Sequence, residues 1–273
     1  MKYADLHIHS RFSDSSLDCE GIVKRAHAEG IDCISITDHD TLEAYTTEDV
    51  DGYAKKYSVE IIRGVEFSSQ HGDKEIHLLG YFPDGALDEG FLSVLARLKE
   101  DRRKRILKMV EKLASLGVTI DAGEFAAFAG TGSLSRLHLA IFLKAKHIVQ
   151  DIREAFSKYV GVGKPAYLSR FRYDLGQSIK VLKDAGALVF LAHPRNVFSV
   201  EEIKELVPLG LDGIEAFYPF YSQSVIDNFL HLAGELGLLV VGGSDAHGKY
   251  KQQQIGTIRM PYEHVERMKA AFK

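Results

Sequence analysis

Asp5-Leu6-His7-Ile8-His9 stands four residues into the chain, and its reading decides the fold. Polar and apolar residues alternate through it with the period of a strand that buries one face. That period turns Asp5, His7 and His9 to the same side. Two imidazoles side by side at a strand end supply half of a metal site. A lone His-x-His pair also occurs in ordinary strands, so its meaning depends on what the rest of the chain adds.

The signal repeats further along. Cys33-Ile34-Ser35-Ile36-Thr37 is a second strand and runs into Asp38-His39-Asp40. A third, over 60–67, ends on Glu66-Phe67, and a fourth, over 75–81, carries His77. Only His71-Gly72-Asp73-Lys74 separates these two, which predicts an antiparallel hairpin. Later strands over 187–192, 213–217 and 238–242 lead to His193-Pro194, to Phe217, and to Gly243-Ser244-Asp245-Ala246-His247-Gly248. Helical spacing over 20–29, 42–57, 175–185, 199–207, 222–236 and 262–272 fills the intervals, with Gly30, Gly186 and Gly237 as C-terminal stops. Seven strands, most joined by helices and several apolar throughout, predict an α/β fold built as a parallel barrel. In such a barrel the active site lies at the C-terminal ends of the strands.

Past Pro83-Asp84-Gly85 the texture changes. Apolar residues at Phe91, Leu95, Leu98, Ile106, Met109, Val110 and Leu113 predict one long helix ending at Gly117, followed by shorter helices near 121–129, 134–145 and 150–159. We therefore expect a barrel domain over 1–95 and 167–273, with an all-helical insertion over 96–166. The long helix has a basic face (Arg97, Lys99, Arg102, Arg103, Lys104, Arg105, Lys108, Lys112) that could steer a polyanion or form a solvated surface.

Length and composition agree with this plan. At 273 residues the chain can bury a sizeable core. Its net charge of −4 provides no chain-wide basic field for nucleic acid or membranes. No apolar run approaches the length of a membrane span, and the early strand leaves no room for a signal peptide. Cys19 and Cys33 read as free thiols in a reducing compartment, so a cytoplasmic location is expected.

Nine side chains collect at the strand ends: His7, His9, Asp14, His39, Glu66, His77, His193, Asp245 and His247. Imidazole with carboxylate and no thiolate suits zinc, manganese or iron in a catalytic site. Nine ligands exceed the needs of one ion and suit two or three close together, with Glu66 or Asp245 as bridges. Such a cluster generates hydroxide near neutral pH and clamps the oxygens of a phosphate ester. Asp38 and Asp40 flank His39 and would either orient imidazoles or cap the next helix.

Asp-Leu-His-x-His-Ser, Thr-Asp-His-Asp, Gly-Val-Glu-Phe, Ala-His-Pro and Gly-Gly-Ser-Asp-x-His-Gly together resemble the polymerase and histidinol phosphatase (PHP) superfamily, in order along the whole chain. The resemblance implies a distorted seven-stranded (β/α)7 barrel and a trinuclear centre of divalent metals on those nine residues, with manganese foremost and iron or zinc as alternatives. The helical insertion resembles the branch of nucleoside 3',5'-bisphosphate phosphatases and 5'-to-3' exoribonucleases. In that branch an Arg-x-His binds substrate phosphate, here Arg136 and His138. Ser135 stands where the branch has Gly before that Arg, and Ser15 replaces the Gly of a Ser-Asp-Gly motif.

On chemical grounds Arg136 suits a phosphate clamp, since guanidinium grips two phosphate oxygens at once. His138 could bind phosphate or protonate a leaving oxygen. Arg195, just after His193-Pro194, is a further candidate for substrate binding, as is Lys164. The expected activity is metal-dependent phosphoester hydrolysis, by metal-bound hydroxide attack on phosphorus, of a nucleotide or a short oligonucleotide end. No membrane and no stable duplex DNA partner is expected. A histidinol-phosphate-type phosphatase, a metal-dependent amidohydrolase and a catalytically silent metal-binding module are the alternatives.

Overall fold

The computed structural model describes residues 1–72, 74–82, 87–130, 132–169, 172–195 and 197–272. The Pro83-Asp84-Gly85 break, and Asp73 in the expected hairpin turn, lie outside the described residues.

The opening strand is β1 (Tyr3–Ile8), buried along nearly its whole length. Its Ala4 and Leu6 join a core with Tyr81, Phe190, Val241 and Met260, while Asp5 and His7 are the polar alternates. Next come α1 (Cys19–Ala28), capped by the Asp18 carboxylate accepting from Gly21 N, and β2 (Cys33–Ile36). The single helix expected over 42–57 is two, α2 (Glu43–Thr47) and α3 (Val50–Tyr57). Glu48 between them is extended, and Asp49 accepts from Gly52 N to start the second helix afresh. The strand expected over 60–67 also divides, into β3 (Glu60–Ile61) and β4 (Arg63–His71).

Then follow β5 (Lys74–Phe82), α4 (Glu89–Ser115), α5 (Ala122–Ala129), α6 (Arg136–Ala145) and α7 (Ile152–Ala155), the last continuing into a π-helical turn over Phe156–Val160. The chain closes with β6 (Tyr173–Asp174), α8 (Leu175–Asp184), β7 (Leu188–Leu191), α9 (Val200–Leu206), β8 (Gly213–Phe217), α10 (Gln223–Leu236), β9 (Leu239–Gly242), β10 (Met260–Pro261) and α11 (Glu263–Ala271).

The strands form two sheets, in the orders β10-β1-β2-β3 and β6-β4-β5-β7-β8-β9. The α/β class of the expectation is present, but among the described residues the strands pair as two ladders and not as one all-parallel barrel. The reason lies in the hairpin. β5 runs antiparallel to both β4 and β7, so the parallel pattern is kept within β1-β2-β3, within β7-β8-β9 and in the short β4-β6 pair. The sheets approach each other at one end, through isolated bridges between Ile8 and Ala246 and between His39 and Glu66. That end carries the polar cluster.

α4 spans about 40 Å at 1.5 Å per residue. Its first half packs Phe91, Leu95 and Leu98 into the core of the larger sheet. Its second half puts Ile106, Met109 and Leu113 into a separate core with Phe125, Leu139, Phe142 and Val160 from the following helices. Among the described residues no helix is long and apolar enough to cross a membrane. Cys19 and Cys33 are buried free thiols.

Candidate metal centre

All nine candidate ligands converge where the two sheets meet. His7 and His9 come from the end of β1, Asp14 from the loop after it, and His39 follows β2. Glu66 lies in β4, His193 follows β7, and Asp245 and His247 follow β9. His77 sits within its strand because β5 runs the other way, and its cross-strand partner is Ser68, two residues beyond Glu66. The strand ends bend sharply to present these groups. Asp40, His193 and Asp245 adopt left-handed φ of 51°, 33° and 51°, conformations that cost on the order of 1 kcal/mol or more each and cluster at functional sites.

Glu66 is the hub. Its Oε1 lies 2.8 Å from His77 Nδ1, 3.2 Å from His193 Nε2 and 3.5 Å from His7 Nε2. Its Oε2 lies 2.9 Å from His39 Nδ1 and 3.2 Å from His9 Nε2. Asp245 Oδ1 is 3.1 Å from His9 Nε2, and Asp14 Oδ1 is 3.1 Å from His247 Nε2. Three overlapping sets have ligand atoms within 4.8 Å of one another: His9, Asp14, His39 and His247; His7, His9 and Glu66; His39, Glu66 and His77.

Several of these approaches are not hydrogen bonds. Asp14 Oδ1, His39 Nδ1, Glu66 Oε2 and His247 Nε2 are buried yet lack a hydrogen-bond partner. Lone pairs that crowd together without sharing a proton are what a bound cation requires, and orphaned buried acceptors are otherwise costly. The donor set fits divalent metals.

The electrostatics point the same way. Burial opposes the charge on Glu66, but His39, His77 and His7 outweigh it and hold the carboxyl well below its usual range. Asp14 is likewise kept ionised against burial, by His247 and His39, and Asp245 by Lys251 and His247. Against the same burial, carboxylates raise His7 strongly, and His9 and His77 to about 9. Burial wins only at His39, pushed down to about 4. The site thus holds ionised carboxylates that need positive partners, which protons or metal ions can supply.

Around the ligands lies a set of orienting groups. Glu215, in β8 and fully buried, brings Oε1 to 2.9 Å from His7 Nδ1 and accepts from His193 N at 2.7 Å with Oε2. This fixes the His7 proton on Nδ1 and leaves Nε2 as the atom facing Glu66. Sequence reasoning passed over Glu215. Its signal was a lone carboxylate inside the apolar run Gly213-Ile214-Glu215-Ala216-Phe217. Asp38 reaches the imidazoles indirectly: Ser13 Oγ donates to it and stands 3.3 Å from His9 Nδ1. Asp40 accepts from Ser68 N and from Arg102 Nε. Neither Asp38 nor Asp40 caps α2, which lacks a side-chain cap. Asp5 ties the loops together, accepting from Ser244 N and Gly256 N.

A cavity of about 470 Å³ opens beside the ligands. Asp14, His39 and His77 line it together with Arg102, Arg105, Arg136 and Lys251. Arg136 lies 3.3 Å from Glu75 and over the rings of Phe156 and Tyr167. Arg105 Nη2 is buried without a hydrogen-bond partner. Burial, and then Arg136 beside it, lower its guanidinium to about 10. Arg102 and Arg105 belong to the basic face of the long helix, but both are buried on the cavity side. Lys251 donates to Asp245 Oδ2, which also accepts from the Tyr218 hydroxyl.

Two expected substrate-binding residues lie elsewhere. His138 is the third helical residue of α6 and closes a capping box: its Nδ1 accepts from Ser135 N at 3.1 Å, while Leu137 N donates to Ser135 Oγ. Burial lowers the His138 pKa. The residue lines a neighbouring groove, not the cavity of the arginines. Arg195 is exposed, and its guanidinium donates to Phe220 O at 3.1 Å.

A sequence model of the PHP domain matches residues 5–163. A 5'-3' exoribonuclease of Haemophilus influenzae is 31% identical over 251 residues, covering 90% of each chain. A 3',5'-nucleoside bisphosphate phosphatase of Chromobacterium violaceum is 28% identical over 253 residues, covering 90% of this chain and 88% of that one. The crystal structure of a protein of Bifidobacterium adolescentis assigned to the metal-dependent phosphoesterases superposes with a TM-score of 0.88 at 26% identity, covering 97% of this chain and 95% of that one.

Proposed function

The chain belongs to the PHP family of metal-dependent phosphoesterases, and on that footing we propose that its substrate is a phosphate ester carrying a second phosphate. The two forms in view are a nucleoside 3',5'-bisphosphate, releasing the 3'-phosphate, and the 5'-phosphorylated end of a short oligoribonucleotide. One observation carries this reading: candidate metal ligands and three arginines line a single cavity together. Arg105 has a buried N–H with no partner, and a second phosphate satisfies it.

In this reading His7, His9, Asp14, His39, Glu66, His77, His193, Asp245 and His247 hold divalent ions, three of them, with manganese foremost. When bound, the ions supply Lewis acidity toward phosphoryl oxygens and lower the pKa of water. The chain does the rest. Glu66 and Asp245 lie between imidazoles from different strands and can serve neighbouring ions. Glu215 sets the His7 tautomer. Arg136 and Arg105 hold and orient the phosphate that is not cleaved, by charge-assisted hydrogen bonds. The helices from the second half of α4 onward act as the lid that brings these arginines to the centre. His138 acts through position, closing the capping box that starts α6 at Arg136. The buried free thiols suit a reducing, cytoplasmic setting.

The test is phosphate release by manganese-loaded protein offered adenosine 3',5'-bisphosphate, a 5'-phosphorylated short RNA and histidinol phosphate side by side, for wild type and Arg136→Ala. Turnover of the bisphosphate or the RNA that falls by two orders of magnitude in the variant is expected. Turnover of histidinol phosphate alone, indifferent to Arg136, would overturn the reading. No turnover of any ester would favour a silent metal-binding module.

A further inference from the structure

We propose that a second groove, continuous with the metal cavity, binds the body of a single-stranded oligonucleotide whose end reaches the arginines; this rests on the phosphoesterase reading and chooses between its two substrates. The groove encloses about 580 Å³ and shares Ile152, Tyr250 and Lys251 with the metal cavity, so a bound chain can pass from one to the other.

Its lining suits a phosphodiester chain. Lys144 from the last turn of α6, Arg153 from α7, and Lys249 and Lys251 from the segment after His247 face it. Among the described residues Lys144, Arg153 and Lys249 have no carboxylate partner. The one carboxylate in the lining, Asp151, already accepts from Glu154 N as the cap of α7. In a chain of net charge −4, four cations around one groove are a local concentration that phosphates would neutralise.

The groove also holds aromatic faces. Phe220 is 62% exposed, more than almost any other large apolar side chain described, and it borders the cations. Tyr250 stands where this groove and the metal cavity join, with Lys249 Nζ 5.5 Å from its ring centre. Cations interleaved with accessible rings, here the exposed Phe220 and the half-buried Tyr250, are the pattern by which proteins hold single strands without reading sequence. Gln253 adds an acceptor: its Oε1 is buried and lacks a partner, and a base amino group would satisfy it. A mononucleotide bisphosphate held in the metal cavity would leave all of this unused.

The experiment compares kcat/KM for adenosine 3',5'-bisphosphate and for a 5'-phosphorylated pentanucleotide in RNA and DNA forms. Wild type, the Lys144→Gln/Arg153→Gln pair and Phe220→Ala are run at several salt concentrations. Both variants should lower kcat/KM at least tenfold on the better pentanucleotide and leave the bisphosphate within twofold. The pair should also flatten the log–log salt dependence by about 1.4, because two fewer phosphates of a single strand are neutralised. Anisotropy of a labelled, cleavage-resistant thiophosphate pentanucleotide should show the same weakening, and this reads the groove even where turnover fails. Bisphosphate turnover by wild type, with pentanucleotide binding and turnover unmoved by either variant, overturns the groove and leaves the phosphoesterase reading intact. Equal falls on both substrates also overturn it. Absence of turnover on every ester overturns the phosphoesterase reading instead.

Discussion

Replacing Glu215 by Gln keeps the side-chain shape and changes only its hydrogen-bond chemistry, which makes it a sharp probe of the centre. The carboxylate serves two donors, the His7 imidazole at 2.9 Å and the His193 amide at 2.7 Å, with no solvent access. The His193 amide can only donate, so the Gln carbonyl must turn toward it. The amide NH2 then faces His7 Nδ1 and forces the His7 proton onto Nε2, the atom aimed at Glu66. A protonated nitrogen cannot ligate a cation. Hydrogen bonds to charged groups contribute roughly 1.5–3 kcal/mol each. Both are replaced by neutral bonds and His7 is left in the wrong tautomer, so about 2 kcal/mol of ligand organisation should disappear. That corresponds to roughly 30-fold in metal affinity at 1.36 kcal/mol per tenfold, within the 10–100-fold range for residues that orient metal-bound imidazoles. Chelator competition with manganese on wild type and Glu215→Gln measures it. Affinity within twofold of wild type would refute the reasoning and remove His7 from the ligand set.

Three further outcomes follow from particular residues. His138→Ala should cost about 1 kcal/mol through the missing cap of α6, while His138→Gln, which keeps an acceptor for Ser135 N, should recover most of it with kcat nearly unchanged. A hundredfold fall in kcat for both would instead make His138 a proton donor. Because burial lowers the His138 pKa, its neutral form belongs to the folded state. The stability it contributes is full above about pH 6.5 and is lost as pH falls through the folded value. His138→Gln should flatten that part of a pH–melting profile, and an unchanged acid limb would count against it. Gly243→Ala would put a methyl 2.3 Å from His7 N and 2.8 Å from Asp5 Oδ1. It should destabilise by about 3 kcal/mol, a fall of roughly 6–12 °C in Tm. A Tm within 2 °C of wild type would show that β1 can move without loss.

The centre was more legible in the sequence than the architecture around it. His and carboxylate at the ends of apolar runs have one strong explanation, and those nine side chains do meet. His77, which looked misplaced inside its strand, is placed by the antiparallel hairpin that also interrupts the parallel pattern. β6 and β10 have two residues each, too few to show a period. The break at Glu48 depends on Asp49 capping a new helix, a local choice that apolar spacing does not reveal. Arg102 and Arg105 sit in a basic run that reads as a solvated face. Their side is fixed only by how α4 lies against the cavity, a tertiary fact. Glu215 was hidden because its partners, His7 and His193, are far away in sequence.

Everything proposed for this site requires that the convergent imidazoles and carboxylates hold divalent ions around Glu66. Calorimetric titration of chelator-stripped protein with manganese, for wild type and Glu66→Ala in parallel, tests it most directly. Wild type should bind more than one ion per chain saturably, with at least one binding event abolished in the variant. Absence of saturable binding, or a titration that Glu66→Ala leaves unchanged, would contradict it.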